Sequence, residues 1–145
     1  QHPVAMIPAL LARLSEGEAD IVVASRSNRN KGNGWRFALN RIVRGYITAM
    51  ARLLTKGAVP GDANSGFFAA RPTAMETLNN CRLERFPEPQ MYILACRHGL
   101  RVAEVSVEQL VRKHGTSTIT FGHALRIIYR FNIFILSEVL RKRGI

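Results

Sequence analysis

The chain has 145 residues, 47% of them hydrophobic, which is enough for one modest domain with a real core and excludes a disordered tail or a repeat array. Lys and Arg number 21 against 10 Asp and Glu, and the formal charge of +11 implies attraction to polyanions such as nucleic acid, anionic lipid or a diphosphate. Nucleic acid is not expected as a partner, because no Lys/Arg-Gly-Phe/Tyr strand, zinc-finger spacing or helix-turn-helix pattern occurs.

Pro3 at a first-turn position, followed by Val4, Ile7, Leu10, Leu11 and Leu14, predicts a helix that stops at Gly17. The continuous apolar run within residues 19–25 predicts a buried parallel strand. Residues 26–34, polar and holding Gly32 and Gly34, predict a loop. The clearest helix is predicted over 35–56, where Arg36, Asn40, Arg44, Thr48, Arg52 and Lys56 recur every four residues among apolar neighbours. After a loop through Gly57, Pro60, Gly61 and Ser65, a strand is expected over 66–71 and a short helix from Pro72 to about Asn80. Pro87 and Pro89 lie near the start of a helix placed over 90–98, and Gly99 ends it. Alternation through Val102, Val105 and Val107 predicts a strand over 101–111. A last helix, over 121–143, sets Arg126, Arg130, Ser137 and Arg141 on one narrow stripe of an otherwise apolar surface. No run reaches the 18 or so apolar residues of a spanning helix. This order of helices and strands is α/β, in a single domain.

Cys81 and Cys96 stand far apart with no second Cys near either, which gives neither a disulfide framework nor a zinc spacing. The chain opens on Gln1 with no signal-peptide pattern behind it, and a missing upstream segment is the expectation.

Four stretches carry charged and polar groups suited to an anion or a polar ligand. Ser25-Arg26 closes the first predicted strand, and open α/β sheets take ligands at the carboxyl ends of their strands, so Arg26 suits an anion. Arg29, Lys31, Arg36 and Arg41 extend that basic neighbourhood. In Asp62-Ala63-Asn64-Ser65-Gly66-Phe67 the Gly permits a tight approach to the next strand, while Asn and Ser can bond loop amides. Phe86-Pro87-Glu88-Pro89-Gln90 sets a carboxylate at a helix start, where it can orient an acceptor, act as a base, or simply suit the helix dipole. Arg112-Lys113-His114-Gly115-Thr116-Ser117 joins a cation to a flexible Gly, as an anion-clamping lid requires.

In order and spacing, these stretches together with Gln1-His2-Pro3 resemble the second half of a family 2 glycosyltransferase of the dolichyl-phosphate or polyprenyl-phosphate sugar synthase type. The resemblance covers essentially the whole chain. It implies a partial GT-A fold, Rossmann-like and doubly wound, with the nucleotide-binding half missing and this acceptor-side part inactive alone. It further implies inverting transfer of a hexose from a nucleotide sugar donor to a polyprenyl phosphate acceptor. Gln1 then matches the last member of an acidic metal motif for Mg2+ or Mn2+, whose other ligands lie upstream. Arg112, Gly115 and Ser117 are implied at the donor diphosphate, Arg26 and Ser65 at the acceptor phosphate, and Glu88 and Asp62 as catalytic or orienting carboxylates. Phe68 and Thr118 depart from the pattern, since each stands where a basic residue is common.

A peripheral position on an anionic membrane surface at the cytoplasmic face is expected, through the helices over 35–56 and 121–143. A homo-oligomer stays open. So do two other functions: a family 2 transferase acting on a polysaccharide hydroxyl, with Glu88 as base, and a noncatalytic basic module binding membranes or nucleic acid.

Overall fold

The computed structural model describes residues 4–26, 34–81, 83, 87–107 and 121–141. Within them lie five α-helices and a mixed three-stranded sheet, an α/β arrangement. The helices are α1 (Ile7–Ser15), α2 (Trp35–Leu54), α3 (Pro72–Asn79), α4 (Pro87–Arg97) and α5 (Phe121–Leu140), and the strands are β1 (Ile21–Arg26), β2 (Phe68–Ala70) and β3 (Val102–Val107).

The apolar run after Gly17 becomes the central strand, as a continuous hydrophobic stretch should when both faces are covered. β1 pairs in parallel with β3, from Ile21 opposite Val102 to Arg26 opposite Val107. It pairs antiparallel with the short β2, with Val23 opposite Phe68. The strand expected to be parallel is therefore parallel on one side only. Successive side chains of β1 point to opposite faces. Ile21 and Val23 enter a core with Val43, Ile47 and Ala51 of α2, Tyr92 and Ile93 of α4, and Phe131 and Ile135 of α5. Val22 and Ala24 enter a smaller core with Leu10 of α1 and Val107.

The far end of the sheet is tied by polar contacts. Asp20 accepts bonds from the backbone N–H of Arg101 at 2.8 Å and from its guanidinium at 3.1 and 3.2 Å, and this hydrogen bonding holds the Asp20 carboxyl below its usual value. Arg71 donates to the carbonyls of Ala19 and Leu14, joining the end of β2 to the end of α1. α1 itself starts three residues later than its apolar spacing suggests, after a 3-10 turn at Val4–Met6, and ends before Gly17 at φ +81°, where a side chain would be strained.

α2 departs in part from the simplest reading of its pattern. Of the polar residues that recur every four positions, Thr48 is buried and Asn40 and Arg44 are half-buried, whereas Trp35, Ile42 and Leu53 are 62, 66 and 73% exposed. At Arg44 and Thr48 this row meets the loop that precedes β2, as the contacts of Asn64 show below, while Arg52 and Lys56 are exposed. Part of the apolar surface, at Trp35, Ile42 and Leu53, turns outward, while Val43, Ile47 and Ala51 stay in the core.

α5 packs beside α2, with the Tyr46 hydroxyl donating to Asn132 Oδ1 at 2.6 Å, and its own outward face carries Phe121, Leu125, Tyr129, Ile133, Leu136 and Leu140, each at least half exposed. At 3.6 residues per turn, both exposed stripes adjoin the Tyr46–Asn132 seam. Arg41 and Arg52 run along the outer border of one, and Arg126, Arg130 and Arg141 along the outer border of the other. Two helices thus present one apolar platform with arginines on both rims. No helix among the described residues is long and apolar enough to cross a membrane. From beneath, α4 holds α5 by Arg97, which donates to the carbonyl and the carboxylate of Glu138, both at 2.6 Å.

Candidate functional site

Arg26 is the last residue of β1, and its guanidinium lies almost wholly inside the protein. Nε donates to Asp62 Oδ2 at 2.5 Å and Nη2 to Asp62 Oδ1 at 3.0 Å, a two-point pairing, while Nη2 also reaches the Asn64 carbonyl at 3.3 Å. Asp62 is completely buried and the Arg26 side chain is 14% exposed. A carboxylate in that setting needs a charge-assisted partner, and the planar guanidinium fork matches it on both oxygens.

The pair fixes the residues that follow. Ser65 N–H donates to the Asp62 carbonyl at 3.0 Å and closes a tight turn. The Ser65 hydroxyl then donates to the Ala24 carbonyl of β1 at 2.7 Å and accepts from Phe67 N–H at 3.4 Å, which stitches the turn to the strand. Asn64 reaches the other way, its amide donating to Thr48 Oγ1 at 3.3 Å and the Arg44 carbonyl at 3.5 Å on α2. At the start of the loop, Gly61 N–H donates to Glu104 Oε2 of β3 at 2.9 Å.

α4 closes the third side. The Tyr92 hydroxyl donates to the Ser65 carbonyl at 2.5 Å, and burial pushes the phenol well above its usual value, helped by the carboxylates of Glu88 and Asp62 and opposed by Arg26. Glu88, one turn earlier on α4 and half-buried, lies against Gly66, where an added Cβ would stand 3.2 Å from Glu88 Oε1. The glycine is what lets the carboxylate approach the turn so closely.

Four residues singled out in the sequence, Arg26, Asp62, Ser65 and Glu88, are therefore gathered at the carboxyl end of β1. Gln1, Arg112, Gly115 and Ser117 lie outside the described residues, as do Arg29 and Lys31. Tyr92, Thr48 and Glu104 were not singled out, and the four-residue polar spacing on α2 was the one signal that could have pointed to Thr48. Next to the turn, Phe37, Asn40, Arg41 and Arg44 of α2 line a shallow depression, and Asn40 Oδ1 is buried there with no hydrogen-bond partner among the described residues.

For a divalent cation, the described carboxylates do not converge: Asp62 is committed to Arg26 and Glu104 to Gly61, and no group of three or more His, Cys, Asp or Glu side chains forms among the described residues. What the site offers an anion is Arg41 and Arg44 at the depression on α2, while the Glu88 carboxylate lies against Gly66. No protein-family model matches this chain, and no curated protein matches it.

Tyr92 gives a direct test of this geometry. Tyr92→Phe removes the bond to Ser65 and leaves that buried carbonyl without it, a loss of about 1–3 kcal/mol at neutral pH. Because the phenol is raised in the folded state, its contribution is complete below the unfolded tyrosine value of about 10 and declines as pH rises beyond it. Urea unfolding of both proteins between neutral pH and pH 11 should show wild type ahead at neutrality and the gap narrowing above pH 10. A constant gap would mean that the phenol is not held neutral by burial.

Proposed function

We propose that this chain is the acceptor-side part of a GT-A-type family 2 glycosyltransferase, which moves a hexose from a nucleotide diphosphate sugar to a polyprenyl phosphate with inversion. Arg26, the 62–66 turn and Glu88 come from three separate stretches and meet at the carboxyl end of the central strand, and that convergence carries the proposal. Ligands in open α/β sheets bind at that end. β3 ends there as well, with Val107 opposite Arg26.

In this reaction an oxygen of the lipid phosphate attacks the anomeric carbon as the bond from that carbon to the diphosphate breaks. The phosphate is already ionised near neutral pH, so no base is needed. Arg26, oriented through Nε and Nη2 by Asp62, meets the acceptor phosphate through Nη1, and Arg41 and Arg44 extend the cationic surface beside it. Ser65, whose hydroxyl is given to Ala24, contributes by fixing the turn. Arg112, Gly115 and Ser117 hold the departing diphosphate, whose growing charge is what catalysis has to stabilise. Mg2+ or Mn2+ would supply further charge there, with Gln1 as this chain's ligand to it. Glu88 orients the acceptor. Were the acceptor a polysaccharide hydroxyl, the same carboxylate beside Gly66 would serve as its base.

The enzyme expressed with the coding sequence adjoining this chain should transfer labelled hexose to polyprenyl phosphate. Arg112→Ala should lower kcat by an amount equivalent to about 2–4 kcal/mol, whereas Arg26→Ala should act mainly on the KM for the acceptor. Transfer to a polysaccharide alone, no transfer at all, or equally small effects of the two changes would each overturn the assignment.

The platform of α2 and α5 supports a peripheral position on the cytoplasmic membrane face, since an apolar surface with cationic rims suits an anionic bilayer. Each rim arginine contributes about 1 kcal/mol near such a surface, and salt screens that contribution. Sedimentation with vesicles should show binding that rises with anionic lipid and falls with salt, and Ile42→Glu with Leu136→Glu should abolish it. A salt-independent dimer in place of vesicle binding would mean that a second copy covers the platform.

A further inference from the structure

At the end of α4 away from Glu88, a nucleophile and a base from different helices meet. Cys81 follows α3 and His98 follows α4, and Cys81 Sγ lies 3.6 Å from His98 Nε2. The two residues are 17 apart in sequence, and His98 follows the end of α4 opposite to the one that carries Glu88. His98 is exposed and Cys81 half-buried, so a small reagent can reach the sulfur. Among the described residues Sγ also meets the Thr77 carbonyl at 3.5 Å, which can only accept a hydrogen bond from the thiol. An imidazole nitrogen can accept it, or donate to the sulfur once the proton has gone.

From this pairing we infer that Cys81 and His98 form a thiol–disulfide exchange site that takes a low-molecular-weight disulfide. The Sγ–H proton passes to His98 Nε2, and Sγ attacks one sulfur of the disulfide. The S–S bond breaks as the mixed disulfide with Cys81 forms, and the departing thiolate takes a proton from the imidazolium or from water. One thiol is consumed and one released, so no further oxidant is needed. Cys96 gives an internal contrast: it has no imidazole beside it among the described residues, and burial pushes its thiol up.

The full chain at pH 7 is treated with 2,2′-dithiodipyridine, which is uncharged and so indifferent to the net positive charge, and the rates at the two cysteines are assigned by peptide mapping. Cys81 should react at least about 10-fold faster than Cys96, because His98 stands where it can take the thiol proton as the sulfur attacks. His98→Gln should remove most of that difference without changing the Cys96 rate, and free imidazole should restore part of it in His98→Gly. The ratio of the two rates is the quantity read, so a variant that merely loosens the fold is recognised by a faster Cys96. Equal rates at the two cysteines in the wild type, or an unchanged ratio in His98→Gln, would overturn the inference.

Discussion

A completely buried carboxylate and a nearly buried guanidinium, Asp62 and Arg26, hold each other in a two-point pairing on which the functional end of this fold depends. Neither charge can sit there without the other, because the desolvation of an unpaired ion costs several kcal/mol. Their pairing brings the loop before β2 up to the end of β1. From that position Ser65 reaches Ala24 and Tyr92, while Asn64 reaches Thr48 and Arg44. One ion pair thus sets the spacing among the central strand, α2 and α4.

The same turn bears on α2. Thr48 and the Arg44 carbonyl serve the turn and Val43, Ile47 and Ala51 fill the core, while Trp35, Ile42 and Leu53 face outward, where they join the exposed stripe of α5. A helix that would ordinarily turn its apolar face to the core turns part of it to the surroundings. α4 connects the two consequences. Near its start it carries Glu88 and Tyr92 at the turn, and at its end Arg97 holds the otherwise buried Glu138 of α5. Site and platform are two ends of one packed unit.

The elements themselves were legible. Strong apolar periodicity located α2 and α5, and the continuous run before Arg26 located β1, because local burial patterns encode local structure. β2 was placed, though at half its expected length, and its antiparallel pairing was not foreseen, since pairing direction depends on the path of the connecting chain. α4 begins at Pro87 rather than Gln90 because proline is well suited to a first turn. Arg26 and Asp62 were each singled out, but for separate tasks. A pairing across 36 residues leaves no local trace in the sequence. Tyr92 and Glu104 look like ordinary helix and strand residues until the turn they support is known. The inward placement of Thr48 on α2 was hidden for the same reason, since its partner Asn64 lies in a loop far along the chain.

The most direct test of the Arg26–Asp62 pair is a double-mutant cycle on folding stability, with Arg26→Met, Asp62→Leu and the two combined, each followed by urea unfolding. A buried pair that organises the turn predicts a loss of about 3–5 kcal/mol for either single change, and a double variant that recovers a large part of it because no charge is left stranded. Single losses below about 1 kcal/mol that simply add in the double variant are the signature of a solvent-screened surface pair, and would contradict the account.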